Sequence, residues 1–301
     1  MIDHPAPADE GRHAATSDPL WNESWYFDFH DADGSFGGYL RLGLYPNLGV
    51  SWFWACVAGR DRQLVFVCDH EAPLPRRDEL EVRASGLWTD VSCLESLERY
   101  SVQLEAFGVG LDDPVEMYGR MRGDRVPLGF DLEWETDGGV FGYPHGITRY
   151  EVPCVVHGEI LVGDERIDFD GYGQRDHSWG VRDWWTFPWC WFSARFVDGE
   201  RIHCVDLGGG AGVGYRLRDG LFVPARECSS SAEGGRDGLA ATAEVSVSGL
   251  DCTVAPMAWA PVLLRAPDGR ESRLARALVQ VETRELGHGA GWIEWNQPLV
   301  A

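Results

Sequence analysis

The sequence predicts an all-β protein built from two units, each an antiparallel barrel or half-open sandwich. Three observations carry that expectation. Short runs rich in Val, Trp, Tyr and Phe recur along most of the chain, bounded by Gly, Pro, Asn and Asp, and such runs read as strands. Asp-Gly pairs at 198–199 and 219–220 separate alternating runs, the strongest short-range hairpin signal. Long stretches of helical periodicity are nearly absent. About eighteen strands would make an unusual single barrel, so two β units are expected. The boundary is placed near Tyr172, giving units at 20–172 and 173–301 behind an arm at 1–19.

Taken in order, the arm (Met1 to about Pro19) is Pro, Ala, Asp and His without periodicity and is expected to be disordered. Strands follow at Trp25–Phe29, Gly38–Pro46, Val50–Ala58 and Gln63–His70. Further on, LEVRA, QLEAF and FDLEWE alternate charged and apolar residues, as half-exposed antiparallel strands do. Asp112–Met121 reads as one or two helical turns. Two longer runs, RYEVPCVVHGEILV and ERIDFDGYGQRDHSW, meet at Gly163-Asp164. Gly208–Val213 and Ser229–Arg236 are expected to be surface loops. Neither GGGAG nor Gly108–Gly110 opens a helix after a strand, so no nucleotide site is expected.

The chain has 301 residues, with 26 Lys+Arg against 48 Asp+Glu and a formal net charge of −22. That balance disfavours nucleic acid, where phosphate neutralisation supplies most of the affinity, and anionic lipid surfaces. No apolar run is long enough to span a bilayer, so no membrane insertion is expected. The N-terminus lacks the basic and apolar regions of a signal peptide. The eight cysteines show no CxxC pair, so we expect reduced, mostly buried thiols in a cytoplasmic protein. The nine histidines form no HxH or HExxH pair, so neither a metal nor any other cofactor is expected. No GxSxG elbow is present either.

The chemistry concentrates in Gly171–Phe192, GYGQRDHSWGVRDWWTFPWCWF, which holds five of the 14 tryptophans. Charged groups in such apolar company must be paired or poised for reaction. Asp176 and His177 are the catalytic candidates: a buried carboxyl can be pushed up to act as a proton donor, and a histidine can orient or shuttle that proton. Adjacent strand residues face opposite ways, so both reach one pocket only if the backbone bulges, which Gly173 and Gly180 would allow. Trp179, Trp184, Trp185, Trp189 and Trp191, with Trp25, Trp52 and Trp54 upstream, are candidates to line a pocket, the first three of them to shield a cation. Arg175 and Arg182 could clamp a carboxylate or pair with a neighbouring Asp. Tyr143 and His145 sit on a Gly/Pro-rich loop with Arg149. The competing reading of the whole stretch is a buried network that pins two β units together.

The stretch GYGQRDHSWGVRDW resembles the Asp-His-x-Trp-Gly signature of the hydroxyneurosporene synthase family, which includes carotenoid 1,2-hydratases. WNESWYFDF, PNLG and GAGWIEWNQ also look like an actinobacterial branch of that superfamily. The resemblance implies two lipocalin-like β-barrels side by side, with Asp176, His177, Trp179 and Gly180 at signature positions and Asp176 as an alkene-protonating acid. It leads to a cofactor-independent hydratase or lyase acting on a C=C bond of an isoprenoid or other apolar small molecule. The alternatives are a non-catalytic binding protein for an apolar ligand and a cyclase or isomerase that preorganises a polyene. A homodimer is compatible with the sequence.

Overall fold

The computed structural model describes residues 4–76, 78–144 and 146–299. Eleven strands belong to the first half: β1 Trp21–His30, β2 Phe36–Tyr45, β3 Val50–Gly59, β4 Leu64–Ala72, β5 Val82–Ala84, β6 Leu87–Glu95, β7 Arg99–Leu111, β8 Asp124–Thr136, β9 Phe141–Gly142, β10 Arg149–Val162 and β11 Glu165–Val181. Eight of them pair in the ring β4-β3-β2-β1-β11-β10-β8-β7, and β7 returns to β4 to close it. Closure leaves no open edge in that ring.

The second half holds β12 Trp189–Phe196, β13 Arg201–Gly208, β14 Ala211–Arg218, β15 Leu221–Glu233, β16 Thr242–Val247, β17 Leu250–Trp259, β18 Val262–Arg265, β19 Glu271–Thr283 and β20 Gly287–Leu299. Eight of these also form a ring, closed where β17 pairs with β19. Strands hold 67% of the described residues and helix 3%, which makes the protein all-β. The turns expected in Asp112–Met121 are a short 3-10 helix, Pro114–Tyr118.

β1 explains why alternation fails as a guide in part of this chain. All ten of its residues are buried. Trp25, Phe27 and Phe29 fill the lumen of the first barrel with Trp134 and Leu132. On the outer face, Tyr26 joins Tyr39, Trp52 and Trp54 in a wall packed on Trp191, Leu278 and Trp292 of the second barrel. The Tyr39 hydroxyl donates to the Ala260 carbonyl (2.7 Å) and Trp292 Nε1–H to the Phe29 carbonyl (3.1 Å) across that seam. A strand covered on both sides reads as a continuous apolar run.

Three expectations are corrected here. β11 continues past Tyr172 to Val181, paired with β1 and β10, so the chain leaves the first barrel after Val181 and crosses at 182–188. The described part of the arm is tied down, with a 3-10 turn at Pro7–Glu10 and Glu10 buried. Ser229–Glu233 is strand, not loop, because each of these residues pairs with β16 and the ladder satisfies the backbone whatever the side chains. Six of the eight cysteines are buried and none is in a disulfide. Among the described residues, no helix is long and apolar enough to cross a membrane.

Candidate active site at the barrel junction

β11 carries the central chemistry, and its register is unbroken there. Asp176 and His177 lie opposite Tyr26 and Trp25 on β1, and opposite Glu151 and Tyr150 on β10. Without a bulge the two side chains take opposite faces. Asp176 faces outward into a cavity of about 320 Å3 between the barrels. His177 faces the first lumen, is fully buried, and does not reach that cavity.

Glu151 and Asp176 are cross-strand neighbours, and Arg149 bridges them. Its Nε donates to Glu151 (2.7 Å) and its Nη2 to Asp176 (2.9 Å). Burial pushes the Asp176 carboxyl up to about 7 against the pull of Arg149, with the Glu151 charge adding to the rise. Desolvation outweighs the ion pair because the whole group is enclosed. Glu151 also accepts from Trp191 Nε1 (3.2 Å) and Gln174 Nε2 (2.6 Å). The Tyr143 hydroxyl lies 3.2 Å from Glu151 and 2.7 Å from His203 Nε2, so its single proton serves one of them. Burial holds His203 well below its ordinary value, and hence neutral.

Aromatic rings make most of the remaining lining, from Trp54, Trp184, Phe187, Trp189 and Trp191. Trp54 is fixed by an Nε1–H bond to His70 Nε2 (2.6 Å), and burial takes His70 down to about 4, so it stays an acceptor. Arg276, paired with Glu294 (2.7 Å), closes the floor beneath Tyr26 and Trp191.

Of the sequence candidates, the structure therefore gathers Asp176, Tyr143, Arg182, Trp54, Trp184, Trp189 and Trp191 around one cavity. The others lie elsewhere. Arg175 points into the first lumen, where its Nη2 donates to Glu10 (3.1 Å) and it stacks over Tyr100. His177 stacks on Trp25 and bonds Glu23 through Nε2 (3.0 Å) and Tyr150 through Nδ1 (3.2 Å). Trp179 stacks on His13 of the arm at 3.8 Å. Trp52 packs in the wall behind Trp184, and Trp185 is buried with its Nε1–H toward the Leu264 carbonyl. His145 lies outside the described residues. Arg41, Arg276 and Glu294 were missed as site residues. Only their place beside aromatic runs could have marked them, since their roles come from the docking of the two barrels.

His13, Glu23 and His177 bring ligand atoms within 4.8 Å of one another, as do Glu133, Glu135 and His157 on the surface side. In the first trio both histidine nitrogens already hydrogen-bond Glu23 Oε1, so the cluster fastens the arm to the barrel.

Two closed barrels with a polar, tryptophan-lined cavity at their seam define the class of protein. Solved structures share this architecture across almost the whole chain. They include an AttH candidate from Nitrosomonas europaea (15% identity, TM-score 0.64, covering 97% of this chain and 96% of that one). CghA is similar at 12% identity and TM-score 0.58, covering 94% and 89%. Kievitone hydratase from Nectria haematococca is similar at 10% identity and TM-score 0.58, covering 93% and 90%. At such identities the likeness is one of fold. No curated protein matches the sequence. The chain belongs to the family described as Domain of unknown function (DUF7064), which it matches over residues 6–299.

Proposed function

We propose that the junction cavity is the active site of a hydratase or lyase in which Asp176 protonates, or deprotonates, carbon at a C=C bond of a largely apolar small molecule. The observation that carries this reading is a buried carboxyl with a pKa of about 7 facing an aromatic cavity. A group titrating there is half protonated near neutrality and exchanges a proton with little driving-force penalty. In the hydration direction, the Asp176 proton goes to one alkene carbon and water oxygen bonds the other. The proton lost by that water restores Asp176, so atoms and charge balance. Arg149 holds the carboxyl in place, and the indoles of Trp54, Trp184, Trp189 and Trp191 exclude bulk water. That a protein of the same fold is a hydratase is consistent with this reading.

The test begins with native mass spectrometry and solvent extraction of the purified chain. An unsaturated terpenoid, steroid or polyketide carried along then serves as substrate, or a thermal-shift panel of such compounds supplies one. Asp176→Asn should keep the fold and the ligand and lose turnover by about 100-fold or more. Turnover undiminished in Asp176→Asn removes the acid role. Binding without turnover in either protein leaves a carrier for an apolar ligand.

A further inference from the structure

Each carboxylate at the cavity has an arginine, and two of the cavity's arginines have no carboxylate. Arg149 pairs with Asp176 and Glu151, and Arg276 with Glu294. Asp183 is taken by Arg270, and Arg182 donates to the Thr148 and Trp179 carbonyls. Arg41 is left over. It lines the cavity, is only 5% exposed, and neither Nη1 nor Nη2 makes a hydrogen bond. The Tyr45 hydroxyl interacts with it and the Asp176 and Glu294 charges favour its cation, but no carboxylate is in ion-pair contact with it among the described residues.

The site is built to hold that guanidinium. Its Cζ lies 4.7 Å from the Trp54 ring and 4.8 Å from the Trp184 ring. Strand β2 has a glycine two residues on, where any Cβ would overlap the guanidinium. Two indole faces stabilise the cation without accepting its in-plane N–H bonds, and buried donors left unsatisfied are costly. A bound oxygen anion would accept them.

We infer that the ligand of this cavity carries a carboxylate on its apolar skeleton, seated on Arg41. The inference rests on the reading of the cavity as a ligand site and names the chemical class of that ligand. One guanidinium edge suits a planar, singly charged carboxylate, which accepts two parallel N–H bonds. A carboxylate conjugated to the reacting C=C would also let Arg41 balance the negative charge that builds on its oxygens when a nucleophile adds at the far carbon. An isolated carbocation, by contrast, would form beside Arg41 and Arg182, which no carboxylate pairs, and be disfavoured by both. Arg182, taken down to about 10 by burial and by Arg149, marks the same crowding of positive charge.

The experiment compares two probes of one skeleton, geranic acid and geraniol, by calorimetric titration of the full chain at pH 8. Geranate should bind about 10-fold or more tightly than geraniol, the ratio expected of a charge-assisted bond. In Arg41→Met, geranate should fall to the geraniol level while geraniol is unchanged. The same variant should melt no lower than the wild type without ligand, because it removes an uncompensated buried charge. Equal binding of both probes by the wild type overturns the carboxylate and leaves the cavity standing as a neutral-ligand site. No binding of either probe, or an unchanged geranate preference in Arg41→Met, overturns the inference as well. If Arg41→Met melts well below the wild type, the side chain is architecture and the inference also fails.

Discussion

Asp176 and His177 are neighbours in sequence and belong to different compartments. Asp176 answers to the seam: burial raises its carboxyl to about 7, so the protonated, donating form is present below that pH and lost above it. Turnover limited by proton donation should therefore fall as pH rises through about 7, read from a kcat/KM profile, and the falling limb should be missing from whatever activity Asp176→Asn retains. His177 answers to the lumen, through Glu23, Tyr150 and the face of Trp25. His177→Gln should cost about 2 kcal/mol in urea unfolding and leave ligand affinity within about 2-fold. A large loss of affinity with normal stability would return His177 to the active site. The pair was legible in the sequence because two titratable groups stand among tryptophans. Which of them faces the cavity was not, because alternation only says that they part, and the choice depends on which face the second barrel covers.

Elements add partners that no local window contains. The arm looked disordered because its Pro, Ala and His show no period, yet buried Glu10 joins His13 in fixing it. Glu10 accepts from Tyr100, Tyr150, the Leu97 amide and Arg175. Burial pushes its carboxyl up, but Arg175 and the hydroxyls win and hold it below the usual value. A depressed carboxyl contributes stability above its unfolded value near 4.5 and loses it as pH falls through the folded one. Glu10→Gln strips the charge from the partner of a buried guanidinium and should cost about 3 kcal/mol at pH 7. The gap to the wild type should close as the pH is lowered below about 4, measured by chemical denaturation across pH. A constant gap would show that the hydrogen bonds alone matter. The strands themselves were legible from their turn residues. The crossover was placed too early, because Gly171 and Gly173 sit inside β11 where the chain runs close to its neighbours, the Asp28 carbonyl among them. Glycine there makes room and does not signal a break.

At the scale of the molecule, the two barrels are not independent. Tyr39, Trp54, Trp191, Leu278 and Trp292 form one apolar cluster that neither barrel covers alone, so exposing it on separation would be costly. Calorimetry of the full chain should show a single endotherm with van't Hoff and calorimetric enthalpies in agreement. Two resolved transitions would mean that the seam is weaker than its packing indicates. Two β units could be anticipated from strand number. That their closed walls would meet through aromatic residues could not, because outward-facing tryptophans have the same spacing as inward-facing ones.

The party wall of β1 and β11 has a consequence for anyone who varies this protein. Even-numbered positions such as Ser24, Tyr26, Asp176 and Ser178 look onto the chamber. Odd-numbered ones such as Glu23, Trp25, Arg175 and His177 look onto the lumen, with its hydrogen bonds and stacked rings. Parity along two strands thus separates the seam from the lumen, and a library restricted to even numbers reshapes the chamber and the packing between the barrels while leaving the lumen's own hydrogen bonds and stacked rings in place.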